Sequence, residues 1–225
     1  MSLRRRNLLS ANNVSSPVDN ELPAGYTKVF AITPAASGAY IDTGIDIKND
    51  VTLSGLKFQL YTDLFSRIDY TPFVGASGNG EFMLVVQNKY LTFRPCFDQS
   101  SKNVTFSMVD NPLTVSNGLE AAEFGINSEL YAYVKDLFDE NGVSMYGSAA
   151  VPGNYASGNL TLFRAKTSYG LVTIARFKMW NNGDPVLDMV ACKRNSDNVY
   201  GMYDKISDTF FTSASEQAFT EVQQS

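Results

Sequence analysis

The side chains able to do chemistry in this chain are few, and one type is missing. It has no histidine, which removes Ser-His-Asp and Cys-His catalysis, imidazole metal ligation and histidine proton shuttling. Asp136, Asp139 and Glu140 precede an Asn141-Gly142 pair. Alternation along a hairpin puts Asp136 and Glu140 on one face and Asp139 on the other, a poor calcium cage, so a solvated hairpin end is expected. Glu120 and Glu123 are spaced i,i+3 in a segment of helix-forming composition, Gly118 to Phe124, and read as surface charge on a short helix. No Glu-x-Asp-x-x-Glu string offers the two carboxyl groups that glycoside hydrolysis needs. Gly75-Ala76-Ser77-Gly78-Asn79-Gly80 is glycine-rich but lacks the P-loop lysine and precedes a strand pattern, so it reads as a strand connection. No catalytic residue, cofactor or metal site is expected.

What remains is binding. Tyr146, Tyr155 and Tyr169 sit in Gly/Ser/Asn-rich segments. A loop tyrosine can stack on a sugar face and hydrogen-bond through its hydroxyl; it can equally cap the edge of a sheet. Arg4-Arg5-Arg6 also has two readings, a solvated terminus or an anchor that orders against a partner. Two leucines after it fall short of a secretory signal's apolar run, so export by that route is not expected. No run approaches the length of a membrane span. Cys96 and Cys192 form no CxxC pair; they are either two half-buried free thiols or a long-range disulfide, which needs an oxidising compartment.

The elements that position these residues are strands. The 225 residues carry 18% charged and 12% aromatic side chains with 16 glycines, a balance suited to a β-rich domain. The net charge of −5 counts against nucleic-acid binding. It is also uneven. Residues 1–25, polar and without a core of their own, carry net +1, and the remainder carries −6. From Tyr26 onward, apolar alternation and turn residues recur. Val51, Leu53, then Leu56, Phe58 and Leu60 suggest a strand with a bulge at Ser54-Gly55. Phe82 to Val86 and Tyr90 to Phe93 flank a turn at Gln87-Asn88-Lys89. Asn141-Gly142 is a second hairpin signal. Leu160 to Phe163 and Val172 to Trp180 are further strands, the latter turning at Asn181-Asn182-Gly183-Asp184 into Val186 to Val190. About a dozen such segments predict a sandwich or barrel.

Several strings together resemble one family. Leu22-Pro23-Ala24-Gly25-Tyr26 followed by Tyr40-Ile41-Asp42-Thr43-Gly44 is similar to the opening of LamG-like, concanavalin-A-type jelly rolls. Phe177-Lys178-Met179-Trp180-Asn181-Asn182-Gly183, Val186 to Arg194, Asn195 to Asp204 and Phe210-Phe211-Thr212 resemble its closing strands. Met179-Trp180 replaces the family's aliphatic–Tyr pair, and Asn198 stands where Gly is common; Asn also tolerates the left-handed region. The resemblance covers most of residues 22–220 and is vague between about 95 and 130.

It implies an all-β, two-sheet antiparallel jelly-roll sandwich over residues 26–225, led by an extended arm at 1–25. Such domains occur in structural proteins of tailed phages of gut bacteria and in surface proteins of their hosts. The expectation is therefore a non-enzymatic virion protein, a fibre, capsid-decoration or tail-associated component assembled in the host cytoplasm. Its arm, with Arg4, Arg5 and Arg6, would hold it to other virion proteins. The domain would face outward as a homo-oligomer, a trimer being one option, and contact host or mucosal glycans through Tyr146, Tyr155 and Tyr169. A carbohydrate-binding module of a bacterial surface protein is the alternative. Tyr40, Ile41 and Tyr203 are expected to fill the core.

Overall fold

A computed structural model describes residues 22–63, 70–78, 82–95, 104–109, 112–139, 145–146 and 157–224. Among these the chain is all β, with twenty strands and no helix. They begin with β1 (Tyr26–Lys28), β2 (Ala31–Pro34), β3 (Ile41–Asp46), β4 (Leu56–Thr62) and β5 (Thr71–Ala76). Next come β6 (Phe82–Gln87), β7 (Tyr90–Pro95), β8 (Val104–Ser107), β9 (Val115–Ser116) and β10 (Leu119–Ile126). The third group is β11 (Ala132–Asp136), β12 (Met145–Tyr146), β13 (Asn159–Leu162), β14 (Arg164–Ala165) and β15 (Ser168–Tyr169). Last are β16 (Arg176–Asn181), β17 (Asp184–Arg194), β18 (Val199–Asp204), β19 (Thr209–Phe211) and β20 (Phe219–Val222).

The larger sheet has ten strands in the order β12-β11-β10-β4-β16-β17-β18-β19, with β1 added on β17 and β9 on β10. A six-stranded sheet runs β3-β13-β5-β6-β7-β8. All these pairings are antiparallel. Two small pairs, β14-β15 and β2-β20, complete the set.

One apolar core joins the two large sheets. On β4 the pleat sends Leu56, Phe58 and Leu60 inward, all fully buried, and Lys57 and Gln59 outward. Phe58 stacks on Phe124 of β10 at 5.0 Å and on Phe177 of β16 at 5.9 Å, and meets Phe82 of β6 at 5.6 Å. Phe93 of β7 meets Phe124 edge-on at 5.2 Å. Rings from both sheets thus interlock in offset and edge geometries, which add to the apolar area they bury.

Several expectations match the structure. Asn88 and Lys89 take φ of 51° and 68° between β6 and β7, and Asn182 and Gly183 take 54° and 88° between β16 and β17. Positive φ at both central residues is what two-residue hairpins need to follow the strands' twist. Asn198 sits at φ 60°, as its tolerance of that region predicts. β11 and β12 pair across residues 140–144, so Asn141-Gly142 and Glu140 themselves lie outside the described residues.

Others are corrected. The segment Gly118 to Phe124 is no helix: Asn117 and Gly118, with φ of 54° and 76°, turn β9 into β10. β10 lies between β4 and β11, where tertiary pairing overrides the weak helical preference of Glu and Ala. Glu123 is consequently buried, not surface charge. Ser54-Gly55 is a turn instead of a bulge: Gly55 has φ 76°, the Leu56 N–H bonds the Leu53 carbonyl at 3.2 Å, and β4 starts at Leu56. β16 begins at Arg176, and the preceding Ile174 only bridges to Ile32. Gly75 and Ala76 belong to β5, not to a connection; a Cβ at Gly75 would come within 2.4 Å of the Ala165 side chain.

Asp136 is buried rather than solvated, accepting the Thr114 N–H at 2.6 Å and the Phe138 N–H at 2.9 Å. Ile41 is in the main core, but half-buried Tyr40 only borders it. Tyr203 is buried as expected, outside the main cluster, with the Tyr26 ring 4.8 Å from it and 5.3 Å from the neighbouring Phe210. Cys192 is a free thiol and fully buried instead of half-buried; Cys96 lies outside the described residues.

Candidate functional site

The outer face of the ten-stranded sheet carries a concave surface. Inward Phe177 and Met179 on β16 leave Arg176, Lys178 and Trp180 pointing outward. At Trp180 the β16–β17 register slips: Met179 faces Leu187, but Trp180 faces Pro185. Pro185 has no N–H for the ladder, and an extra residue at such a point re-aims the side chain beside it.

Register sets the neighbours. Trp180 is opposite Lys57 on β4, Lys57 opposite Gly125 on β10, and Gly125 opposite Tyr133 on β11. Gly125 has no side chain between Lys57 and Tyr133. A Cβ there would lie 2.2 Å from the Leu56 carbonyl oxygen, so only glycine fits. The result is an open groove of about 430 Å³ lined by Trp180, Lys57, Tyr133, Lys135 and Glu123, among others.

Its polar groups are pre-set. Glu123 accepts hydrogen bonds from Gln59 Nε2 at 2.8 Å and the Tyr133 hydroxyl at 3.2 Å, and pairs with Lys135 Nζ at 3.0 Å. Lys57 Nζ lies 4.1 Å above the Trp180 ring and Lys178 Nζ lies 5.8 Å from it. Ammonium groups at that distance are held by the ring's negative face. Two registers further along, Arg176 makes a bidentate pair with Asp188, at 2.8 Å through Nε and 2.7 Å through an η nitrogen. The Asp188 N–H in turn bonds Asp204 at 2.8 Å. A second hollow of about 330 Å³ lies at this end, lined by Lys28, Tyr61, Arg176 and Phe30 among others. Burial raises the pKa of the Tyr61 phenol, so it stays a neutral donor.

The residues singled out in the sequence fall elsewhere or outside. Arg4, Arg5, Arg6 and Tyr155 lie outside the described residues. Tyr146 pairs through its backbone with Tyr133, which places it on the strand bordering the groove. Tyr169 is 38% exposed on the β14–β15 hairpin, apart from the groove. There Arg164 lies against two rings that touch each other, 4.5 Å from Tyr40 and 5.5 Å from Tyr169. Sequence reasoning missed Trp180 as a groove residue. Its signal was present: it is the chain's one tryptophan, at the outward phase of a strand whose inward partners are Phe177 and Met179.

Among the described residues no three potential ligands cluster to hold a metal ion. No helix there is long and apolar enough to cross a membrane. The chain matches no family model and no curated protein.

Proposed function

We propose that the chain is a non-enzymatic glycan-binding protein of the concanavalin-A/LamG jelly-roll type, carried on a tailed-phage particle as a fibre, decoration or tail-associated component. The observation that carries the glycan reading is the groove of Trp180, Tyr133 and Gly125, with Gln59 and Lys135 arranged around Glu123. An aromatic face beside hydrogen-bonding groups suits a sugar ring, apolar on one side and hydroxylated at its edge. Hydrolysis takes two carboxyl groups. Among the described lining residues Glu123 is the one carboxylate, and it is committed to Lys135. That favours binding without turnover.

The particle reading is supported by the resemblance and by the charge split between arm and body. The anchor would be the arm, residues 1–25, through Arg4, Arg5 and Arg6. Residues 22–25 also meet the body, since the Asn195 N–H bonds the Gly25 carbonyl at 2.9 Å. The testing deletion therefore removes residues 1–21. Purified particles should contain the intact protein by mass spectrometry and lack the deletion variant. On a glycan array the intact protein should bind saccharides that Trp180→Ala does not. Array binding by a protein absent from particles would instead support a carbohydrate module of a bacterial surface protein.

A further inference from the structure

The groove lies at one end of a longer track. Outward residues 57, 59 and 61 of β4 lie beside 180, 178 and 176 of β16, and lead from the Trp180 groove to the hollow at Lys28 and Arg176. Four residues of strand span about 13 Å. Along that distance the face carries Lys57, Lys135, Lys178 and Arg176 against Glu123 and Asp188, a local charge of +2 on a chain of net −5.

The carboxylates are already used. Glu123 is bound by Lys135, Gln59 and Tyr133, and Asp188 chelates Arg176. Among the described residues no carboxylate comes within ion-pair distance of Lys57 or Lys178. Cations also crowd one another here. Burial lowers the Lys178 pKa, with the charges of Arg176, Lys205 and Lys57 lowering it further, against Asp188. Partial desolvation and the Arg176 charge likewise lower the Lys28 pKa. An acidic protein that gathers ammonium groups lacking a carboxylate partner along this aromatic-walled track has a surface suited to an anion.

We infer that the β4–β16 face binds an anionic polysaccharide, its sugar ring on Trp180 and its negative groups on Lys57 and Lys178. This rests on the glycan-binding reading and names the ligand class. The shared chemistry is repeating negative charge, from uronate carboxylates or from sulfate esters.

The test uses the full-length protein in titration calorimetry with polygalacturonate, its methyl ester, dextran sulfate and dextran, at low and high salt. The charged polymers should bind about tenfold or more tighter than their neutral counterparts, with the difference shrinking as salt screens it. Replacing Lys57 and Lys178 together by Gln should remove about tenfold of that preference. Lys178→Arg, which keeps the charge, should retain it. Preference for dextran sulfate over polygalacturonate would place the charge on sulfate, and the reverse on carboxylate. Equal, Trp180-dependent binding of charged and neutral polymers would overturn the anionic inference and leave the glycan reading standing. Binding of none of the four would overturn this inference, and an array blank for Trp180-dependent ligands would overturn the glycan reading itself.

Discussion

Arg176 is buried to 5% exposure, and Asp188 holds its guanidinium in a bidentate ion pair. Removing the carboxylate leaves a guanidinium in a poorly solvated site, so Asp188→Ala should destabilise the fold by about 3 kcal/mol in urea unfolding. A loss under 1 kcal/mol would show that the site holds the Arg176 charge without Asp188. Cys192 gives a pH prediction. Burial pushes its thiol up to about 12, so the folded state keeps it protonated after the unfolded thiol has ionised. The unfolded state then binds fewer protons, and stability falls as pH rises from the ordinary thiol range toward 12. Cys192→Ala should flatten that alkaline slope, and iodoacetamide should label Cys192 in denaturant only. At this scale the sequence was least legible. Glu123 shows the reason: its three partners come from β4 and β11, so neither its burial nor its role is visible from neighbours in the chain.

Elements were legible where local geometry decides them and obscure where distant pairing does. The turn at Asn182-Gly183 could be read because positive φ selects Asn and Gly locally, and that at Asn88-Lys89 because two apolar strands flank it closely. β10 could not, since Leu-Glu-Ala-Ala-Glu reads as helical until β4 and β11 claim its two edges. That strand also carries the most restrictive position of the groove. Gly125→Ala forces a Cβ to 2.2 Å from a backbone carbonyl, which a side-chain rotation cannot relieve. It should cost about 1–3 kcal/mol of stability and part Lys57 from Tyr133, weakening saccharide binding as well. Melting temperature and affinity, measured on the same variant, check both effects. Unchanged values for both would show that β4 and β10 can part without cost.

For the whole molecule, the groove depends on the two sheets sharing one core. Phe58, Phe124 and Phe177 fix β4, β10 and β16 from below, and the alternate residues of those strands form the face above. An all-β fold of antiparallel sheets was foreseeable from alternation and turns; which outward residues would meet was not, because β4 and β16 are more than a hundred residues apart. The central claim is that this face is where saccharide binds. Trp180 is the chain's single tryptophan, so its fluorescence reports on the groove without a label. Titrating the full-length protein with a saccharide selected on the array should give a saturable change in Trp180 emission and protect it from acrylamide quenching. Saccharide binding, seen by calorimetry, that leaves Trp180 emission and quenching unchanged would contradict the account.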